Sequence, residues 1–159
     1  MVEKLSLEKA KIVLKRHPDA VIIAADTTVF LNGKILGKPT SKQGAKDMLK
    51  KLSGKKHKAI TGFTILDKSK IITEHVTAQI WFRKLSEEEV NAYVSSGEPV
   101  DKAGAYAIQG KGGLFIEKIE GDFSGVVGLP LTKLSKSLKE FEIDVIKNWQ
   151  ISKKKRAQS

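Results

Sequence analysis

The sequence contains no cysteine. Disulfides, thiolate nucleophiles and cysteine-based zinc sites are therefore excluded, and a reducing, cytoplasmic setting is expected. Aromatic residues are scarce, at 6%, which leaves few platforms on which nucleic-acid bases could stack. No apolar run approaches the length of about 20 residues that spans a bilayer, so no membrane partner is expected. The opening segment, Met1-Val2-Glu3-Lys4-Leu5-Ser6, lacks the long apolar stretch of a signal peptide. His17, His57 and His75 are dispersed without metal-ligand spacing. No Gly-x-Ser-x-Gly nucleophile elbow is present.

What is present is an ordinary globular composition, 40% hydrophobic and 30% charged over 159 residues. That length suits one domain with a substantial core. The net charge is +11, of which the run Lys153-Lys154-Lys155-Arg156 supplies four, leaving +7 for the rest. A basic protein attracts polyanions: nucleotides, nucleic acid or an anionic surface. The run reads most simply as a solvated terminus. The expected organisation is a domain over residues 1–146 and a basic tail over 147–159. Nucleic acid ranks last among the partners.

Ser6, ahead of Leu7-Glu8-Lys9-Ala10, can cap a helix running to about Arg16, and His17-Pro18-Asp19 stops it. Val21 to Phe30 reads as a strand whose continuously apolar first half suggests burial on both faces. Asn32-Gly33 signals a hairpin turn. Ser41 can cap a helix with Ala45, Met48, Leu49 and Leu52 on one face. His57 to Leu66 and Ile71 to Phe82 predict an antiparallel pair. Ser86 and Glu89 predict a capping box. Gly113 to Ile119 predicts a further strand, and Leu131, Leu134, Leu138 and Phe141 a last helix. The fold class expected is α/β (α+β), an elongated mixed sheet flanked by helices.

Four segments can carry chemistry. In Ala25-Asp26-Thr27, a carboxylate directly follows an apolar run, where α/β sheets place ligands outside the strand end. Asp26 there can bind a divalent metal or act as a general base, or can simply hydrogen-bond the next turn. In Gly37-Lys38-Pro39, a lysine on a stiffened loop can hold a phosphate, or be one more solvated lysine. In Asp101 to Gly113, four glycines permit close backbone approach to a ligand. Gln109 can read a base edge there, and Tyr106 can stack or pack. In Gly121 to Leu131, a helix opening near Pro130 can offer amides to an anion or dock on the core. Arg83 can face a phosphate.

Taken in order, these pieces resemble the Maf family of nucleotide pyrophosphatases. The matching residues are Glu8-Lys9-Ala10, Ala25-Asp26-Thr27, Gly37-Lys38-Pro39, Leu52-Ser53-Gly54 with His57, Thr61-Gly62, Phe82-Arg83, Glu98-Pro99 with Asp101 to Tyr106, Ile108-Gln109-Gly110, and Val127-Gly128-Leu129-Pro130. The resemblance implies two lobes with a central cleft, as in inosine triphosphate pyrophosphatases. It implies hydrolysis of a nucleoside triphosphate to the monophosphate and pyrophosphate with Mg²⁺ or Mn²⁺. By the same resemblance Asp26 is the proton acceptor and a metal ligand. Thr27 and Gln109 match positions tied to substrate choice, and Lys9, Lys38 and Lys102 match positions that face phosphates. Ile108-Gln109-Gly110 resembles the branch acting on dTTP and UTP. Family members also carry a Ser-x-Ser-Pro-Arg-Arg loop, and Ser-Pro-Arg-Arg occurs nowhere here. That departure implies a fold completed differently, for instance by a homodimer covering a sheet edge. The other outcome is weakened activity, as in a nucleotide-binding protein that does not catalyse.

Overall fold

A computed structural model describes residues 1–147, so the tail from 148 onward lies outside the described residues. Five strands form one sheet in the order β2-β1-β3-β4-β5. They are β1 (Ile22–Leu31), β2 (Lys34–Leu36), β3 (Lys56–Leu66), β4 (Ile71–Phe82) and β5 (Ile116–Gly121). The α/β class with flanking helices holds. Every described strand pair is antiparallel, however, rather than mixed. The hairpins account for two of these pairs. Asn32 and Gly33 both take positive φ, 49° and 77°, the turn whose twist matches an antiparallel pair. Asp67 closes β3–β4, its Oδ1 accepting from the amides of Ser69 and Lys70 at 2.7 Å each.

The local helix signals hold where both partners are near in sequence. Ser41 Oγ accepts from Gly44 N at the start of α2 (Lys42–Leu52). Ser86 and Glu89 form a complete capping box on α3 (Glu87–Ser95). The last helical segments are α4 (Phe123–Val127) and α5 (Leu131–Leu138). The segment expected as a strand from Gly113 instead makes a 3₁₀ turn over Lys111–Phe115 before β5 begins. Its glycines favour the tight turn.

The first helix departs most from expectation. α1 runs Val2–Leu14, so Ser6 lies inside it rather than capping it. Ser6 is fully buried. Its hydroxyl donates to the Glu3 carbonyl at 2.9 Å and meets Thr64 Oγ1 at 2.9 Å. Ser6 is therefore a polar weld between helix and sheet, and a hydroxyl bonded back to its own turn is the form a serine takes inside a helix.

Gly62 sets how close α1 sits. A Cβ there would lie 2.6 Å from the Val2 carbonyl carbon and 2.7 Å from Glu3 N. Ala10 is fully buried beside Ile22 and Leu66. α1 thus covers part of one sheet face, and α2, α3 and the loop over residues 98–106 help cover the other. The apolar half of β1 is not buried on both faces, because Ile23, on the face opposite α1, is 43% exposed.

Gly62→Ala is expected to lower unfolding stability by about 2 kcal/mol or more, because backbone rather than a flexible side chain must move. Chemical denaturation of the variant checks this, and an unchanged midpoint contradicts the close seating of α1.

Candidate active site

Asp26 is the fifth residue of the ten-residue β1, so it sits mid-strand and not beyond a strand end. The β-branched run Thr27-Thr28-Val29 carries the strand on. The residue is nonetheless reachable. β2 pairs only with Val29, Phe30 and Leu31. Along Ile22 to Thr28 the partner of β1 among the described residues is β3 alone. The other edge of β1 is open at Asp26.

Consecutive side chains on a strand point to opposite faces. Asp26 and Thr27 nevertheless line the same cleft, which has a volume of about 280 Å³. The cleft therefore wraps around the open edge of β1. Lys9, from α1, approaches Asp26, and Nζ to Oδ1 is 2.5 Å. The same ammonium donates to the Ala25 carbonyl at 3.3 Å. With Lys9 53% and Asp26 19% exposed, such a pair contributes no more than about 1 kcal/mol. It fixes direction while leaving Lys9 free to move to a stronger anion.

Lys38, Asp101 and Lys102 also line the cleft. Gly104 N donates to the Gly37 carbonyl at 3.0 Å, which ties the Lys38 loop to the turn over Ala103–Ala105. Lys102 Nζ reaches both oxygens of Asp101 at 2.9 Å. Lys102, and more weakly Lys38, hold the Asp101 carboxyl below its ordinary pKa. The sequence offers Asp101 within the Asp101 to Gly113 segment without a role of its own. Its place in the same cleft as Asp26 shows only in three dimensions.

The remaining wall is apolar. Val29, Ala59, Ile108 and Val126 contribute to it, with Tyr106. Tyr106 packs against its neighbours. It is 6% exposed, meets Phe82 edge-on at 4.8 Å, and its hydroxyl bonds His57 Nε2 at 2.8 Å. Thr27 Oγ1 lies 2.8 Å from Thr61 Oγ1, and Thr61 Oγ1 donates to the Gly125 carbonyl at 2.6 Å.

Four expected ligand contacts are not offered. Gln109 is exposed and Ile108, not Gln109, lines the cleft. The amides of the glycine-rich loop face a carboxylate of the chain itself. Glu98 accepts from Lys111 N and Gly112 N, both at 3.1 Å. Burial raises the Glu98 pKa, but the Tyr93 hydroxyl and those two amides outweigh it and hold the carboxyl below its ordinary range. Arg83 makes a two-pronged pair with Glu89 at 2.7 and 3.1 Å and does not face the cleft. Near Pro130, Asp122 accepts from Gly125 N and Ser124 Oγ accepts from Leu131 N. That helix start is docked rather than offered to an anion.

Among the described residues no group of three or more His, Asp or Glu side chains gathers into a metal cage. Asp26 and Asp101 are hard oxygen donors facing one cleft, a set that suits a divalent cation completed by water and ligand phosphates.

The chain matches the family model described as Maf-like protein over residues 1–141. This chain belongs to the Maf-like family. It is 48% identical over 145 residues to a dTTP/UTP pyrophosphatase of Bacillus anthracis, which covers 91% of this chain and 76% of that protein. It is 51% identical over 144 residues to a dTTP/UTP pyrophosphatase of Methanosarcina barkeri, covering 89% of this chain and 73% of that one. Among the described residues no helix is long and apolar enough to cross a membrane.

Burial pushes the His57 pKa from 6.5 down to about 4, and the Lys55 backbone offsets only part of this. Between those values the unfolded chain binds the proton and the folded chain does not. Stability is therefore expected to fall as pH drops from 6.5 towards about 4, by up to about 3 kcal/mol. His57→Gln should flatten that part of a denaturation profile. An identical slope in the variant contradicts the assignment.

Proposed function

We propose that this protein hydrolyses dTTP and UTP, or modified pyrimidine triphosphates, to the monophosphate and pyrophosphate, a house-cleaning activity. The observation that carries the reading is the cleft around β1. Its lining brings Asp26, Lys9, Lys38 and Lys102 together with the apolar side chains of Val29, Ala59, Ile108 and Val126. A nucleotide combines the same two characters, charged phosphates and a flat base.

Lys9, Lys38 and Lys102 neutralise the phosphates as point charges. As phosphates enter, Lys9 shifts from Asp26 towards them. Asp26, turned by that lysine through one oxygen, keeps a second oxygen to accept the proton of the attacking water. Asp26 and Asp101 would hold a magnesium or manganese ion, which when bound neutralises phosphate charge and polarises oxygen. Gln109, exposed on the loop beyond Ile108, acts on the base if that loop closes over it. Catalysis of phosphoryl transfer rests largely on such positioning and charge compensation.

Pyrophosphate released from dTTP and UTP with magnesium or manganese tests the proposal. Turnover is expected, and Asp26→Asn should lower kcat by at least about 100-fold. Full activity in Asp26→Asn overturns the role of Asp26. Nucleotides that raise the melting temperature without being consumed would instead mark a binding protein that does not catalyse.

A further inference from the structure

The five-stranded sheet is covered unevenly. On β1, β3 and β4, Val29, Ala59, Ile80 and Phe82 point into the core shared with α2 and α3. Their strand neighbours Phe30, Lys58, Gln79 and Trp81 therefore point the other way. α1 lies on that second face only as far as Gly62, where Val2 and Glu3 touch the sheet. Past this point Lys56 and Lys58 are exposed, and Phe30, Ile60 and Trp81 are half-buried.

Cross-strand pairs order the open part of the face. Lys56 opposes Trp81, and Trp81 opposes Lys118. The tryptophan thus stands between two lysines, whose Nζ atoms lie over the indole at 5.6 and 5.0 Å from the ring centroid. The next row runs Phe30, Lys58, Gln79 and Glu120. Glu120 is the single acidic residue of the two rows and pairs with Lys118, so the rows are net positive. Phe30 and Ile60 also line a shallow pocket of about 200 Å³ with Met1 and Val2. Aromatic residues are few in this chain, yet the fold sets two of them among three lysines on one open face.

That combination decides between occupants. A second copy of the chain docked about a two-fold axis would set two net-positive surfaces against each other. A bilayer surface calls for apolar side chains that project, whereas Trp81 and Phe30 are half-buried between longer lysines. A flexible polyanion with flat apolar faces matches both characters. An ammonium over a partly exposed ring is a weak contact, and a phosphate draws it away. The ring face it leaves is one on which a base can stack.

We propose that this open sheet face binds single-stranded nucleic acid, with bases stacked on Trp81 and Phe30 and phosphates held by Lys56, Lys58 and Lys118. The face shares no residue with the lining of the cleft around β1, so the proposal is independent of the hydrolysis reading.

Fluorescence anisotropy of labelled oligouridylate and oligothymidylate with the full chain tests it, with excess uridine monophosphate present to fill the cleft. Three phosphate contacts on a single strand predict binding that weakens about tenfold or more between about 50 and about 200 mM salt. Trp81→Ala, which leaves the charge unchanged, should weaken binding by about tenfold, and Trp81→Phe should retain most of it. If Trp81→Ala does not fold, the double variant Lys56→Gln with Lys58→Gln serves, since both side chains are exposed; it should weaken binding and flatten the salt dependence. Equal binding by the wild type and the variant that folds places the oligonucleotide elsewhere, on the basic tail or in the cleft, and overturns the proposal. So does equal affinity for a duplex of the same length, the absence of binding, or a Trp81 dependence seen with anionic vesicles and not with oligonucleotides.

Discussion

Much of this structure depends on how closely α1 lies against β3. Gly62 has no side chain to hold the helix away, and the backbone of Val2 and Glu3 occupies the place a Cβ would take. Gly62 is also the direct cross-strand partner of Asp26. The same contact that seats the helix therefore lies directly beside the carboxylate. From there α1 delivers Lys9 to Asp26, while Ser6, Thr64 and Thr73 run a hydroxyl chain from the helix across the sheet.

The second determinant is the brevity of β2. Three residues pair with the far end of β1 and then stop. The edge beside Asp26 stays open, so two adjacent strand residues that point to opposite faces can serve one cleft. This divides the labour along the chain. Asp26 meets Lys9, while Thr27 Oγ1 meets Thr61 Oγ1. An ordinary edge strand exposes backbone that invites pairing, and here that edge is where Asp26 and Thr27 both reach one cleft.

Whether a feature was legible in the sequence depended on the range of the interaction behind it. The Ser41 cap, the Ser86–Glu89 box and the Asn32-Gly33 turn are local, with both partners inside a few residues, and they stand as read. The β3–β4 pair follows from alternation and a four-residue turn. Ser6 carried the same local signature as a cap, but a partner 58 residues away claims its hydroxyl. The glycine-rich loop invited a ligand, and Glu98 fills that role from another turn. Arg83 offered a free guanidinium until Glu89 took it. Asp26, Thr27, Lys9, Lys38 and Lys102 do meet in one cleft, whereas Gln109 stands outside it. Asp101 and Thr61 stand within the matched motifs but carry no individual role in the sequence, because a neighbouring lysine and a mid-strand threonine look ordinary until the fold turns them inward.

In the proposed reaction the attacking water stands beside Asp26 and is directed at the phosphorus next to the nucleoside. Hydrolysis of UTP in ¹⁸O-labelled water, with both products examined by mass spectrometry, tests that placement. The label is expected in the nucleoside monophosphate and absent from pyrophosphate. Label in the pyrophosphate, or in orthophosphate released from the far end of the chain of phosphates, would contradict it.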